Sequence, residues 1–216
     1  GIFSDCKSLV IDGDINFIST QLFYNCSSLQ KIILPSSITV IKKESFKLCS
    51  SLTQIVIPPS VTLIKRDAFR GCTSLYKIII PSALTNIEIG VFRGCLSLEQ
   101  VEIHSDLLSI EQSVFRKCSS MKQITIPSSV TFIGQKSFEK CSSLTHLEIP
   151  SSVKTIGKYA FNECSSLEQI AIPSSLTTIK KYAFANCSSL SEITLPSSLD
   201  SIKNSVFYHC RSLKQI

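Results

Sequence analysis

The stretch "CSSLEQIAIPSSLTTIKKYAFANCSSL" (residues 164–190) closes on the four letters with which it opens, 23 positions later. The recurrence runs through the whole chain. Cysteine stands at 6, 26, 49, 72, 95, 118, 141, 164, 187 and 210, so the first interval is 20 and every later one is 23. Ser follows each Cys by two positions, Leu by three (Met121 excepted), and Phe precedes each by three, from Phe3 to Phe207. A fixed period of this size is the mark of a solenoid or array.

Counted from Cys, offsets six and eight are aliphatic, as in Ile55 and Ile57 or Ile170 and Ile172. Offset nine is Pro in seven of the eight complete repeats, with His104 the exception, and offsets twelve and fifteen are again aliphatic, as in Val130 and Ile133. Alternation from offset five to eight predicts a short strand with one buried face. Proline lacks an N–H and ends the ladder there, and the Ser-Ser that follows supplies turn chemistry. The spacing of I-x-x-x-A-F-x-x-C suits a helical turn rather than a long helix. Each unit therefore reads as strand, turn, extended segment, helical turn.

A lone unit could not fold. Its seven or so apolar side chains contribute roughly 10–20 kcal/mol on burial, whereas ordering each residue costs about 1.5 kcal/mol. Stacked coils cover one another's open faces, which predicts one continuous parallel sheet from the nine coils whose strand segment is intact.

The pattern L-x-x-I-x-I-P-x-x-[VL]-x-x-I-x-x-x-[AV]-F-x-x-C resembles the 23-residue, BspA-like class of leucine-rich repeat, over Phe3 to Ile216. The resemblance implies an α/β solenoid, a right-handed horseshoe with a concave parallel sheet and helical turns on the convex side. It also implies a surface or secreted protein of bacteria or protists that binds host or extracellular-matrix proteins in adhesion. Repeat identity sets architecture better than function.

Unbroken phase predicts one domain over residues 1–216. The chain opens at the Phe position of a coil and stops inside a strand, which reads as a fragment of a longer protein, with end-to-end self-association as the alternative. The short first interval, "CKSLVIDGDINFISTQLFYNC", reads as having lost three residues around Asp12 to Asp14. No apolar run approaches the length of a transmembrane helix, and no signal peptide is visible.

The cysteines lack the clustered spacing of zinc ligands. Disulfides between successive coils are conceivable, but a uniform row reads best as small buried thiols at one core position. The Ser at offset two reads as a ladder of hydroxyls bonded to loop backbone.

Net charge is +6. Lys42, Lys43, Lys65 and Arg66 share one phase, while Lys47, Arg70, Arg93 and Arg116 share another and would align as a stripe. A solvated face is the plain reading; attraction to a sulfated glycan is the sharper one. No nucleic-acid motif or aromatic platform accompanies the stripe.

Functional freedom lies where residues vary on the outward strand face. Offset five carries Lys31, Gln54, Lys77, Gln100, Gln123, His146, Gln169 and Glu192, and offset seven Ile33, Val56, Ile79, Glu102, Thr125, Glu148, Ala171 and Thr194. Ile33, Val56 and Ile79, with Lys31, Gln54, Lys77 and Tyr76 beside them, form a candidate protein-binding patch. Strand propensity alone would also put aliphatic residues there. Glu102, His146 and Glu148 extend the face with polar groups.

His104, His146 and His209 lie in different phases, the coil from Cys95 is the most irregular, and Asn25-Cys26-Ser27 and Asn186-Cys187-Ser188 match the glycosylation sequon. With no phosphate-cradling glycine loop, nucleophile elbow or enclosed carboxylate pair, the reading is non-enzymatic, with no cofactor and no metal. It is a concave-face protein-binding module; a spacer without its own ligand, or polyanion binding along the stripe, are the alternatives.

Overall fold

The computed structural model describes residue 3 and residues 5–215. It is a parallel β-solenoid in which each coil crosses two sheets. The first sheet takes Ser8–Val10 and the offset-five segments Lys31–Ile33, Gln54–Ile55, Lys77–Ile80 and Gln100–Ile103, paired in that order. The second takes the segments read from sequence as extended. Phe17–Ile18, Val40–Ile41, Leu63–Ile64 and Asn86–Ile87 form one ladder, and Ser109–Ile110, Phe132–Ile133, Thr155–Ile156 and Thr178–Ile179 another. Pairing carries a shift of 23 throughout, as in Ile78 with Val101 or Ile133 with Ile156.

One core cluster runs from Ile18 to Val206 between these walls. Its spine is the phenylalanine column, stacked from Phe23 to Phe207 with ring centroids 5.1 to 5.8 Å apart. The cysteines form a parallel column and are all free thiols. From Cys49 to Cys210, each Sγ donates to the carbonyl of the Phe one coil earlier, at 3.0 to 3.3 Å. That carbonyl also accepts its own coil's Cys N–H, as Phe46 does from Cys49 at 3.1 Å. The small thiol thus fills space and satisfies a buried acceptor together, which only the protonated form can do.

Four expectations are corrected. The convex helical turns are absent: among the described residues no helix is present. Residues five and one before each Cys from Cys26 to Cys210, such as Gln21 and Asn25 or Tyr159 and Glu163, adopt left-handed φ of 55 to 75°. Two such residues four apart prevent a helical ladder. Alternate N–H groups instead leave the coil, Gln21, Phe23 and Asn25 donating to the carbonyls of Lys43, Ser45 and Lys47, while Leu22, Tyr24 and Cys26 close turns within it.

The first sheet is also not continuous. After Gln100–Ile103 the next coil, at Lys122–Ile126, carries no strand, and pairing resumes with His146–Glu148 on Gln169–Ala171. The gap directly follows the irregular coil from Cys95, whose strand runs to Ile103 without the usual Pro at 104.

The short first interval is repaired elsewhere than expected. Ser8, Leu9 and Val10 pair with Lys31, Ile32 and Ile33, a shift of 23, although Cys6 and Cys26 differ by 20. The three missing residues therefore fall between Cys6 and the strand, not at Asp12 to Asp14, and Leu9 takes the place of the strand isoleucine.

Finally, the hydroxyl ladder belongs to offset one. The hydroxyls of Thr73, Ser119, Ser142 and Ser188 reach the carbonyl one coil earlier at 3.2 to 3.5 Å. The offset-two serines join through their N–H groups, as Ser120 does to Leu96 and Ser143 to Ser119.

Candidate protein-binding face and family

Alternation along each strand sends offset six inward and offset seven outward. Ile32, Ile55 and Ile78 are accordingly buried, while Ile33, Val56 and Ile79 are 48%, 81% and 40% exposed. The register of the first coil adds a fourth member that the sequence reading missed: Val10 lies beside Ile33 and is 62% exposed. Its signal was available in the parallel between "KSLVI" and "QKIIL", masked by aligning the two coils on their cysteines. The result is an unbroken aliphatic row across four coils. Beside it lies a cavity of about 510 Å³ lined by Lys31, Ile33, Leu34, Gln54, Val56 and Pro58.

The rim is polar and ordered. Tyr76 is exposed, and its hydroxyl accepts from Gln100 Nε2 at 3.0 Å. Lys77 Nζ lies 2.6 Å from Glu102, ending the aliphatic row with an ion pair, and His104 is 3.6 Å from the same carboxylate. The Lys77 ammonium, bonded to Glu102, holds that carboxyl below the usual carboxylate range.

The remaining candidates meet at the gap in the sheet. Glu102, His146 and Glu148 line a second groove of about 750 Å³ together with Gln100, Gln123 and Thr125. The two grooves sit on one face but are separate, so the ten candidate residues divide into an aliphatic end and a polar end. Among the described residues no group of three or more His, Cys, Asp or Glu is placed to hold a metal ion.

The basic stripe is largely compensated. Lys47 pairs with Glu44 at 3.2 Å, Arg70 with Asp67 at 3.7 Å, and Arg116 with the buried Glu139. Arg93 has no such pair among the described residues; burial, then the guanidiniums of Arg70 and Arg116, lower its pKa. Stacking does align the four, as expected, but the carboxylates between them remove most of the net charge.

No helix of the described residues is long and apolar enough to cross a membrane. No curated protein matches the chain. Among solved structures, a leucine-rich repeat protein from Eubacterium ventriosum aligns with a TM-score of 0.75 at 22% identity, covering 92% of this chain and 63% of that one. A leucine rich cell surface protein from Faecalibacterium prausnitzii aligns with a TM-score of 0.64 at 25% identity, covering 96% and 78%. A leucine-rich repeat protein from Bacteroides ovatus aligns at 0.60 and 24% identity, covering 99% and 73%. The family model for the BspA type leucine rich repeat region matches residues 1–99 and 85–214. With the 23-residue register, the phenylalanine column and the thiol column in place, the chain belongs to the BspA-type leucine-rich repeat family.

Proposed function

We propose that residues 1–216 act as one non-enzymatic protein-binding domain of a surface or secreted adhesion protein, with the first sheet as the concave wall of a right-handed horseshoe. The observation that carries this reading is the row Val10, Ile33, Val56 and Ile79, aliphatic and outward-facing on four successive coils. One exposed aliphatic residue is ordinary; four in register, rimmed by Lys31, Gln54, Tyr76 and Lys77, make the kind of patch partners cover. The leucine rich cell surface protein among the structural relatives supports the location.

The ligand is a protein with an apolar anchor for this row, of host or matrix origin. The test is a screen of purified matrix and cell-surface proteins by surface plasmon resonance, repeated with Ile33→Glu/Val56→Glu/Ile79→Glu. A hit should weaken at least tenfold in the variant, about 1.4 kcal/mol or more. Unchanged affinity for every hit would remove the patch as the site, and a screen without hits would favour a spacer role.

A further inference from the structure

A different edge of the solenoid carries uncompensated charge. It is the corner just after the second sheet, at seven, six and five residues before each Cys. In the early coils this corner reads Lys42-Lys43-Glu44 and Lys65-Arg66-Asp67, and two of its four cations meet carboxylates: Lys65 pairs with Glu88 at 3.2 Å and Arg66 with Asp67 at 3.7 Å, while Lys42 lies over the Phe17 ring. In the later coils it reads Gly134-Gln135-Lys136, Gly157-Lys158-Tyr159, Lys180-Lys181-Tyr182 and Lys203-Asn204-Ser205. Five lysines fall on four consecutive coils, and no carboxylate shares their positions. The nearest in sequence are Glu139, paired with Arg116, Glu163, paired with Lys140 at 3.2 Å, and Asp200.

Three of the five lysines lie over aromatic rings. Tyr159 and Tyr182 stack face to face, centroids 5.0 Å apart and planes within 2°. Lys136 and Lys158 lie over the Tyr159 ring at 5.5 and 5.2 Å, and Lys181 over Tyr182 at 4.8 Å. Backbone bonds from Lys136 to Lys158 and from Tyr159 to Lys181, with the bridge between Ile179 and Ile202, fix the coils beside one another. Cation–π contact leaves the ammonium charge intact and able to meet an anion from outside.

We propose that Lys136, Lys158, Lys180, Lys181 and Lys203 form a binding strip for a linear sulfated glycan. The strip follows the solenoid axis, about 4.8 Å per coil, so it presents a line of charge rather than a plane. Every cation is a lysine, a mobile point charge on a flexible stem rather than a fork of fixed geometry. That suits sulfate groups spaced irregularly along a chain. The tyrosine faces are turned to each other, which removes the stacking platform that single-stranded nucleic acid uses; the ring edges remain for a sugar, while the Tyr182 hydroxyl is bonded to Ser205 and Lys181.

The probe is a heparin dodecasaccharide, titrated calorimetrically into the intact chain. Wild-type binding should weaken at least tenfold between about 50 and 200 mM salt, as counterion release requires. Lys158→Gln/Lys181→Gln/Lys203→Gln should lose at least tenfold in affinity at low salt. Lys7→Gln/Lys43→Gln/Arg66→Gln, which removes the same net charge from exposed positions on the early coils, outside the strip, should lose less than threefold. All six side chains are exposed, so both variants should keep the wild-type circular dichroism spectrum. Equal losses in the two variants, or none in the first, would overturn the strip. Binding of desulfated heparin, single-stranded RNA or phosphatidylserine vesicles as tight as that of heparin would overturn the glycan as its ligand. Because the strip and the aliphatic row are different surfaces, Ile33→Glu/Val56→Glu/Ile79→Glu should bind heparin as wild type does.

Discussion

Cysteine is the residue whose role changes most between sequence and structure. In sequence it is a period marker and a small apolar filler. In the folded chain each thiol from Cys49 onward is also a donor to the preceding coil's Phe carbonyl. Desolvation by burial lifts the thiols of Cys49 and Cys141 from an ordinary value of 9.0 to about 12, and carries Cys72, Cys118 and Cys164 well above it. The unfolded chain releases these protons near pH 9 while the folded chain retains them. Their contribution is therefore complete below about pH 9 and is lost as pH rises, at about 1.4 kcal/mol per unit for each thiol. Five such thiols give a slope of about 7 kcal/mol per pH unit, against a domain stability of about 5–15 kcal/mol. Unfolding followed by circular dichroism at fixed temperature should set in between about pH 9 and 11. A chain still fully folded at pH 11.5 or above, on the same scale, would show that the column is not buried as described.

At the scale of elements, the first strand was legible and the corner was not. Alternation in "QKIIL" and "YKIII" is enough to place Ile33 and Ile79 outside, and the structure puts them there. The corner misled because I-x-x-x-A-F-x-x-C carries helix-like spacing, while its fate rests on left-handed backbone at positions held by Gln, Glu, Asp, Lys and Tyr. The sign was there only in part, in Gly71, Gly90 and Gly94 and in Asn25 and Asn186 at the same phases, since glycine adopts positive φ without steric cost and asparagine more readily than most. Inter-coil hydrogen bonds impose it. The gap in the first sheet was equally hidden, although its neighbour, the coil from Cys95, stood out. It makes a prediction of its own. Amides 123–126 have no ladder partners, so hydrogen exchange should find them less protected than Ile32, Ile78 and Ile80 in the paired strands. Equal protection on both sides would mean that the sheet closes there in solution.

For the whole molecule, the period predicted the architecture because every coil repeats one set of contacts with its neighbours. The binding candidates were legible only in part. The aliphatic row was visible, but Val10 was hidden by the shifted first coil. The basic stripe was visible, but its partners were not: Glu44 and Asp67 stand three residues before Lys47 and Arg70 in the same coil, while Glu139 reaches Arg116 only once coils stack. Charge that is free in a sequence can be paired in a solenoid. Nearest-neighbour construction also predicts that whole coils are removable. Deleting residues 118–140 should leave a shorter, cooperatively unfolding chain with the same circular dichroism per residue, because strand, Phe and Cys positions all stay in phase. Deleting residues 118–137, three fewer, should displace every later apolar side chain and abolish the cooperative transition, as read by urea denaturation.

The corner has an electrical consequence. Peptide dipoles in neighbouring strands largely cancel. At the corner, by contrast, the N–H groups of Gln21, Phe23 and Asn25 point to the following coil, as do those of Glu44, Phe46 and Leu48, and so on down the chain. These peptide units line up head to tail along the axis as they do in a helix, where such alignment amounts to about half a unit charge at each end. That row of the corner therefore has a polarity of its own, positive toward the later coils, set against the N–H groups of Thr62, Lys65 and Ser74, which point to the preceding coil.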